Sequence, residues 1–496
     1  MADEQLERER KYDVEADYVL PPLDTVVADS GDRVEVATIQ LVSIYFDTEQ
    51  RDLLRHGITL RNRSGTTDNG WQLKVPTGDA RTEIRLDPTA RRTVPRELSA
   101  LVKGLRRGRP LRQLVEIRSN RTVRRVMDAD GVLVVEVADD DVTALRAGDA
   151  GGVARWREVE AELGPAGDER RLDQIGELLT GAGATVSDSA NKVAKALDAL
   201  EADRQSGDES EEEAAEVTAG DLISAYLRDQ DDALVAGDLS LRRGLRGIHP
   251  TRVATRRMRS TLRIFKRYVD SERAQAFDAE LSWYAALLGE VRDRQVQRER
   301  FAGAVAALPA DQVLGDVADQ IEEVLRTEEK QNQAVLERAM NGKRYAALLQ
   351  ESQRWATTPP FTSRAGGKAS KLAKDVAAAA KKVDKHLAAG LASGDDEELH
   401  SARKAAKRAR YASELGQAVL GKKTKKGVAR YQKLQDILGE HQDGAVSAAL
   451  LRRIAAATTD QPDQNGFTYG LLYADQIRRA ETSRQQAFDW AKSHLS

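Results

Sequence analysis

Residues 7–11 read Glu7-Arg8-Glu9-Arg10-Lys11. Two accounts of this stretch compete. A run of charges near a terminus is ordinarily a solvated, mobile end. On a helix Glu7, Glu9 and Lys11 would scatter around the axis, whereas on a strand all three share one face at steps of about 6.6 Å. The same i, i+2 spacing of charge recurs downstream, in Arg61 and Arg63 of TLRNR, in Arg81, Glu83 and Arg85 of RTEIR, and in Glu158, Glu160 and Glu162 of REVEAEL. Lys74 follows Trp71 in WQLK. A half-buried sheet with one wet face would explain any one of these pairs. Together they point to a closed barrel whose interior is charged.

Such an interior is costly when empty, because like charges a few Å apart repel and lose solvation. It becomes consistent when a polyanion and a divalent cation fill it. Arg and Lys neutralise phosphate oxygens, Arg in bidentate fashion. Carboxylates hold Mg²⁺ or Mn²⁺, hard cations that prefer oxygen and bridge to phosphate.

The surrounding pattern agrees with strands. RVEVATIQLVSIYFDT, ITLRNR, WQLKVP, RTEIRLD and RWREVEAEL are short β-rich runs, and RTVRRVMDADGVLVVEVADD reads as a hairpin around Asp130-Gly131. Residues 168–200 read as helical. The first part of the chain is therefore expected to be α+β with mostly antiparallel strands.

At 496 residues the chain is long enough for two to four domains. With 32% charged and 5% aromatic residues, its surfaces are expected to be helix-rich. The net charge of -3 averages over strongly uneven segments. No cysteine occurs, which excludes disulfides, thiolate catalysis and Cys-based zinc sites. No apolar run suggests a signal peptide or approaches a membrane span of about 18 residues, so a cytoplasmic protein without a membrane partner is expected.

The sharpest break is QSGDESEEEAAE at 205–216, with six acidic residues and no basic one. It cannot bury a core and reads as a linker. The expected domains are 1–200, a linker at 201–219, and 220–496, the last built of long amphipathic helices. This last part contains a repeat, divided at about 220–345 and 346–496. HPTRVATRRMRSTLRIF at 249–265 answers HSARKAAKRARYASELG at 400–416. Counting from each His, bases recur at +3, +7, +8 and +10: Arg252, Arg256, Arg257 and Arg259, then Arg403, Lys407, Arg408 and Arg410. Arg263 and Lys404 add to these rows. LLGEVRD at 287–293 answers ILGEHQD at 437–443 with nearly the same offset, 150 against 151. Two related helical bundles, or one bundle made of two related halves, follow from this.

On a helix the His and the bases at +3, +7 and +10 fall within an arc of about 80°. Residues 361–430 hold 17 Lys and Arg against 7 Asp and Glu, which concentrates positive potential there. Glu290, Asp293, Glu440 and Asp443 are expected to orient these arginines. His249 and His400 belong to no H-E-x-x-H pattern, so they read as phosphate hydrogen-bond donors or packing residues rather than zinc ligands. Helix-turn-helix and zinc signatures are absent and aromatics are sparse, which argues against specific nucleic-acid binding. A base-rich stripe of this kind suits an anion made wholly of phosphate.

Glu7-x-Glu9-x-Lys11 resembles the E-x-E-x-K signature of the CYTH domains, the triphosphate tunnel metalloenzymes. The likeness continues in order through Tyr45 to Thr48, Gly57, Arg61 and Arg63, Lys74, Arg81 and Glu83, Arg118 and Arg121, Glu136, the Glu158–Glu162 carboxylates and Lys192. It covers about the first 200 residues. The resemblance implies an eight-stranded antiparallel β-tunnel that binds a triphosphate with Mg²⁺ or Mn²⁺. It also implies Glu7, Glu9 and Lys11 as the catalytic group, and metal held by Glu7, Glu9, Glu136 and the Glu158, Glu160 and Glu162 strand. Arg61, Arg63, Lys74, Arg81, Arg118, Arg121 and Lys192 would bind phosphate. Which two of Glu158, Glu160 and Glu162 serve is open, and Arg118 and Arg121 cannot share one strand face.

From about 220 to 496 the chain is similar to the CHAD family, helical domains named for their conserved histidines, frequently joined to CYTH and associated with inorganic polyphosphate. His249, His400 and their basic rows carry that likeness. The expectation is a metal-dependent triphosphatase acting on inorganic triphosphate or a related triphosphate, joined to a helical domain that binds long-chain polyphosphate, in the cytoplasm or on polyphosphate granules. The rival expectations are a non-catalytic polyphosphate-binding scaffold and an adenylate cyclase making cyclic AMP from ATP. No adenine pocket is legible for the second.

Overall fold

The computed structural model describes residues 3–23, 26, 32–65, 69–78, 80–88, 93–147, 152–189, 191–202, 216–458 and 466–494. Residues 203–215 of the expected linker lie outside the described residues. The chain divides into two compact units, Met1–Glu211 and Glu212–Ser496.

The first unit holds strands β1 (Asp3–Glu7), β2 (Glu9–Val14), β3 (Arg33–Asp47), β4 (Thr59–Ser64), β5 (Gly70–Thr77), β6 (Ala80–Leu86), β7 (Arg112–Met127), β8 (Leu133–Arg146), β9 (Val153–Leu163) and β10 (Thr185–Val186). They form one antiparallel sheet in the order β1-β6-β5-β4-β3-β7-β8-β9-β2-β10. β1 pairs with β6 and β2 with β9. These two are halves of one extended segment interrupted at Arg8, whose carbonyl accepts the Leu163 amide at 2.9 Å. That segment therefore ties the two ends of the sheet together and curls it into a barrel. Ten strands stand where eight were expected, because the interruption at Arg8 divides the N-terminal strand and the two-residue β10 adds an edge beside β2.

The period-two alternation separates the two faces. On the outer face Tyr12, Val126, Val135, Val137 and Val159 pack under Leu172, Ile175 and Leu179. Those three lie on the third of the unit's helices given among the described residues, α1 (Arg96–Leu101), α2 (Lys103–Arg106), α3 (Glu169–Gly181) and α4 (Lys192–Ala202). Asp168 starts α3 by accepting the Arg171 amide at 3.1 Å. The inner face is charged along most of its length and apolar at one end. There Val115, Ile117, Val142 and Ala144 pack against Val193, Ala196, Leu197 and Leu200 of α4. They lie on the same strand faces as Arg121 and Asp140, so α4 covers that end of the barrel interior. The β7–β8 hairpin turns as its sequence predicts. Gly131 takes φ +78°, and Asp128 accepts the Asp130 and Val132 amides at 3.0 and 2.7 Å.

Among the described residues the second unit holds nine α-helices: α5 (Ala219–Arg242), α6 (Ile248–Ile264), α7 (Ser271–Ala306), α8 (Val317–Met340), α9 (Lys343–Thr357), α10 (Ala373–Ser393), α11 (Asp396–Leu420), α12 (Lys422–Thr458) and α13 (Gly466–His494). α6 and α7 repeat as α11 and α12. The matched spacing reflects the same contact at Gly289 and Gly439, where the guanidinium of Arg252 or Arg403 lies against the glycine, 3.4 Å from where a Cβ would stand. The two arginines then reach Asp293 at 2.7 Å and Asp443 at 3.6 Å. No helix among the described residues is long and apolar enough to cross a membrane.

Candidate active site

The inner face of the barrel encloses a cavity of about 270 Å³. Glu7, Glu9 and Lys11 enter it from the N-terminal segment, Arg61 and Arg63 from β4, Lys74 from β5, and Arg81, Glu83 and Arg85 from β6. Arg121 and Arg125 enter from β7, Glu136 from β8, Glu160 and Glu162 from β9, and Lys192 from the first turn of α4. Asn191 starts that helix by accepting the Ala194 amide at 2.9 Å, which sets the root of Lys192.

Two expected residues lie elsewhere. Arg118 faces outward with a side chain 61% exposed, and it pairs at 2.8 Å with Glu116. The reason is parity: Arg121 faces inward against Asp140, and a residue three positions away on one strand must point to the other side. Glu158 does share the inner face, but it is not on the cavity wall. It is buried deeper, against Lys192, Lys195 and the indole N–H of Trp156, which donates at 2.6 Å.

Asp140 was not singled out from the sequence and proves central. It is 0% exposed and accepts two bonds from Arg121, at 2.8 and 2.6 Å, while Lys192 Nζ lies 2.9 Å away. Its signal was available in the alternation of β8, where it shares the face of Glu136. Arg125 was passed over although it follows Arg121 at even spacing, while Arg85 and Tyr45 were noted in their runs without being given a role.

Charge is distributed unevenly in this interior. Oxygens of Asp140, Glu158 and Glu160 lie within 4.8 Å of one another. Lys192 contacts all three, Arg121 contacts Asp140 and Glu160, and Lys11 contacts Glu160. Three cations thus meet three carboxylates. Burial opposes the Lys192 ammonium, yet Asp140, Glu160 and Glu158 hold its pKa well above the ordinary lysine value.

The neighbouring carboxylates are less well matched. Burial raises Glu9, but Lys11 and Lys74 outweigh it and bring the group down to about 2. Glu7 pairs with Lys74, yet burial raises its pKa. Glu162 lies across the ladder from Glu9 and forms no ion pair among the described residues. Burial, opposed by Lys74 and reinforced by Glu7 and Glu9, pushes Glu162 up to about 7. Carboxyl oxygens crowded in this way are a donor set that fits a hard divalent cation.

The opposite imbalance stands on β4. Arg61 is bound by Gln72 at 2.6 Å and Tyr45 at 3.2 Å and lies 3.6 Å from Glu83. Arg63 donates to Ser43 Oγ at 3.4 Å and forms no ion pair among the described residues. Burial together with Arg61 and Arg121 brings its guanidinium down to about 10. A half-buried arginine in the fields of two others is a place where an anion lowers the energy.

In the helical unit the two basic rows meet. Arg252 and Arg256 of α6 share one electrostatic neighbourhood with Arg403 and Lys407 of α11. Burial and these three arginines bring Lys407 down to about 7. Lys404 is exposed at the edge of the row. Burial lowers His249, with Arg292, Arg256 and Arg252 adding to it, and lowers His400, with Lys404 and Arg403 adding. Both shifts favour the neutral imidazole.

Family models match a CYTH domain over residues 5–197 and a CHAD domain over residues 225–452. The chain belongs to the proteins that join a CYTH domain to a CHAD domain. The uncharacterized proteins MT2285 and Rv2226 of Mycobacterium tuberculosis are each 33% identical to it over 510 residues, covering 97% of this chain and 94% of theirs. Among solved structures it is similar to PptA from Streptomyces chartreusis, at 22% identity and a TM-score of 0.46, over 55% of this chain and 100% of that one. It is also similar to the CHAD domain from Ricinus communis, at 20% identity and a TM-score of 0.41, over 55% of this chain and 93% of that one. The CYTH domain is the fold of the triphosphate tunnel metalloenzymes, and in this chain it forms the β-barrel unit.

Proposed function

We propose that the CYTH tunnel hydrolyses inorganic triphosphate or a related triphosphate with Mg²⁺ or Mn²⁺, and that the CHAD unit holds long-chain polyphosphate. One observation carries the catalytic half: a single cavity has surplus positive charge at Arg63 and surplus carboxylate at Glu162. A metal–triphosphate complex neutralises both surpluses at once.

In this reading Arg61, Arg63 and Arg121 take phosphate oxygens, with Lys74, Arg81 and Lys192 on the surrounding wall. Glu7, Glu9 and Glu162 are the carboxylates that would hold the metal, with Glu160 and Glu136 beside them. A bound divalent cation would supply Lewis-acid stabilisation and lower the pKa of a water for in-line displacement at the terminal phosphorus. Lys11, already paired with Glu9 and Glu160, orients those carboxylates. Glu158 and Asp140 are matched by Lys192 and Arg121, so they support the wall. The convergence of Arg252, Arg256, Arg403 and Lys407, four cations with Asp293 and Asp443 as the carboxylates that Arg252 and Arg403 reach, supports the polyphosphate half. Joining both units on one chain raises the local concentration of phosphate near the tunnel.

The test is phosphate release from inorganic triphosphate with Mg²⁺ or Mn²⁺, with polyphosphate binding followed on the same samples. Wild type should turn over, and Glu9→Gln should lose about 10³-fold or more while binding polyphosphate as before. Binding without any turnover in wild type would establish a scaffold, and cyclic AMP from Mn-ATP would establish a cyclase.

The metal carboxylates also predict a pH dependence. Glu162 is raised from 4.5 to about 7 in the folded, metal-free protein. A proton must leave before the cation binds, so Mn²⁺ affinity should climb as pH rises through about 7 and then level off. The raised group adds stability below its unfolded value, and this is lost as pH rises through the folded one. Metal-free protein should therefore lose part of its stability between pH 5 and pH 8, and Glu162→Gln should remove both slopes in calorimetric titrations and melts. An unchanged Mn²⁺ pH profile in that variant would remove Glu162 from the metal site.

A further inference from the structure

The basic rows of α6 and α11 correspond with an offset of 151, so Arg263, fourteen residues after His249, corresponds to Glu414, fourteen after His400. On α6 the row continues as Arg252, Arg256, Arg259 and Arg263. On α11 it runs Arg403, Lys407, Arg410 and then stops at an acid.

This exchange makes the two related contacts between the helices unlike. On one side Arg257 and Arg410 both reach Glu414, at 2.9 and 3.1 Å. Tyr226 donates its hydroxyl to the same carboxylate at 3.1 Å, and the Tyr411 ring lies 5.7 and 4.8 Å from the two guanidinium groups. On the other side Arg408, the counterpart of Arg257, lies in the fields of Arg263 and Arg259. Asp278 serves Arg259 at 3.0 Å and Arg263 at 2.6 Å, and Arg408 forms no ion pair among the described residues. Three guanidinium groups against one carboxylate leave a surplus of positive charge, with the Arg263 side chain 41% exposed. Burial, with Arg263 and Arg259 adding to it, lowers the Arg408 pKa, as expected of a cation short of a partner.

We infer that the phosphate track of the helical unit is one-ended: it extends over Arg259, Arg263 and Arg408, while Glu414 closes the symmetry-related end. This rests on the reading that the unit binds polyphosphate, and it names the residues that set the length and position of the bound chain. Glu414 acts twice, repelling phosphate and occupying two arginines that would otherwise face it.

The experiment measures affinity of the full chain for inorganic polyphosphates of graded length. Glu414→Gln keeps an acceptor for Tyr226 and removes the charge. It should tighten binding of long chains roughly fivefold, leave the shortest unchanged, and steepen the salt dependence by about one phosphate contact. Arg263→Glu, at an exposed position, should weaken long chains roughly tenfold and flatten the salt dependence. Circular dichroism melts show that each variant is folded. If wild type binds polyphosphate and both variants match it at every length, the one-ended track is wrong and the binding reading stands. If wild type binds no polyphosphate, both fall.

Discussion

Arg63→Met is expected to cost about 10²–10³-fold in kcat/KM for triphosphate hydrolysis, the scale of removing one well-placed charge-stabilising donor, while the fold becomes no less stable. The second half of that result is the diagnostic one. A buried ion normally persists because a partner compensates it, and removing it then destabilises the protein. Arg63 has a hydroxyl as its hydrogen-bond partner and faces Arg61 and Arg121, which depress its pKa along with burial. Removing its charge therefore relieves repulsion, and methionine keeps most of the packing. Steady-state kinetics and thermal melts with and without triphosphate check it. Wild type should melt higher with triphosphate present, and Arg63→Met should lose most of that shift. A variant that melts several degrees lower without ligand would make Arg63 a structural residue and remove the main support for the substrate site.

Lys192→Met should do the reverse. Its ammonium touches Asp140, Glu158 and Glu160 and its side chain is 7% exposed. Truncating one member of a buried ionic group costs about 3–5 kcal/mol, because the remaining charges stay buried and unmatched. For a unit of this size that corresponds to a fall in melting temperature on the order of 10 °C. The loss belongs to the N-terminal unit, so in denaturant unfolding of the full chain only that transition should move. Adding Asp140→Asn should recover part of it, since one fewer carboxylate then needs a cation, and the double-mutant cycle measures the coupling. Equal stability of Lys192→Met and wild type would show that the carboxylates are balanced without the lysine. Together the two variants separate a cation kept for its ligand from one kept for the fold, within one cavity.

Much of this cavity was legible locally. Strand parity is a property of consecutive residues, so it places Glu7, Glu9 and Lys11 on one face and does the same for Arg61 with Arg63 and Arg81 with Glu83. The repeat of the helical unit was legible for a similar reason. The glycine, the acid four residues on, and the arginine that lies against the one and reaches the other recur together, and both copies build the same contact from them.

Parity alone, however, cannot say which face is inside. Only the ladder with β8, which sets Arg121 opposite Asp140, turned Arg121 inward and Arg118 out to solvent. Nor does it report depth: Glu158, Glu160 and Glu162 share a face, and the packing of α4 brought Lys192 onto Glu158 and left Glu162 at the cavity wall beside Glu7 and Glu9. The closure of the barrel through Arg8, the surplus charge at Arg63 and the unlike ends at Arg263 and Glu414 likewise arise from residues distant in sequence. The physical division is one of range. Side-chain alternation, capping and helix stripes depend on neighbours along the chain, so the sequence by itself determined strand faces, basic rows and the domain series. Net charge at a point depends on Coulomb terms from every element packed around it, so only the tertiary structure decided which of these charges are balanced and which are left to meet a ligand.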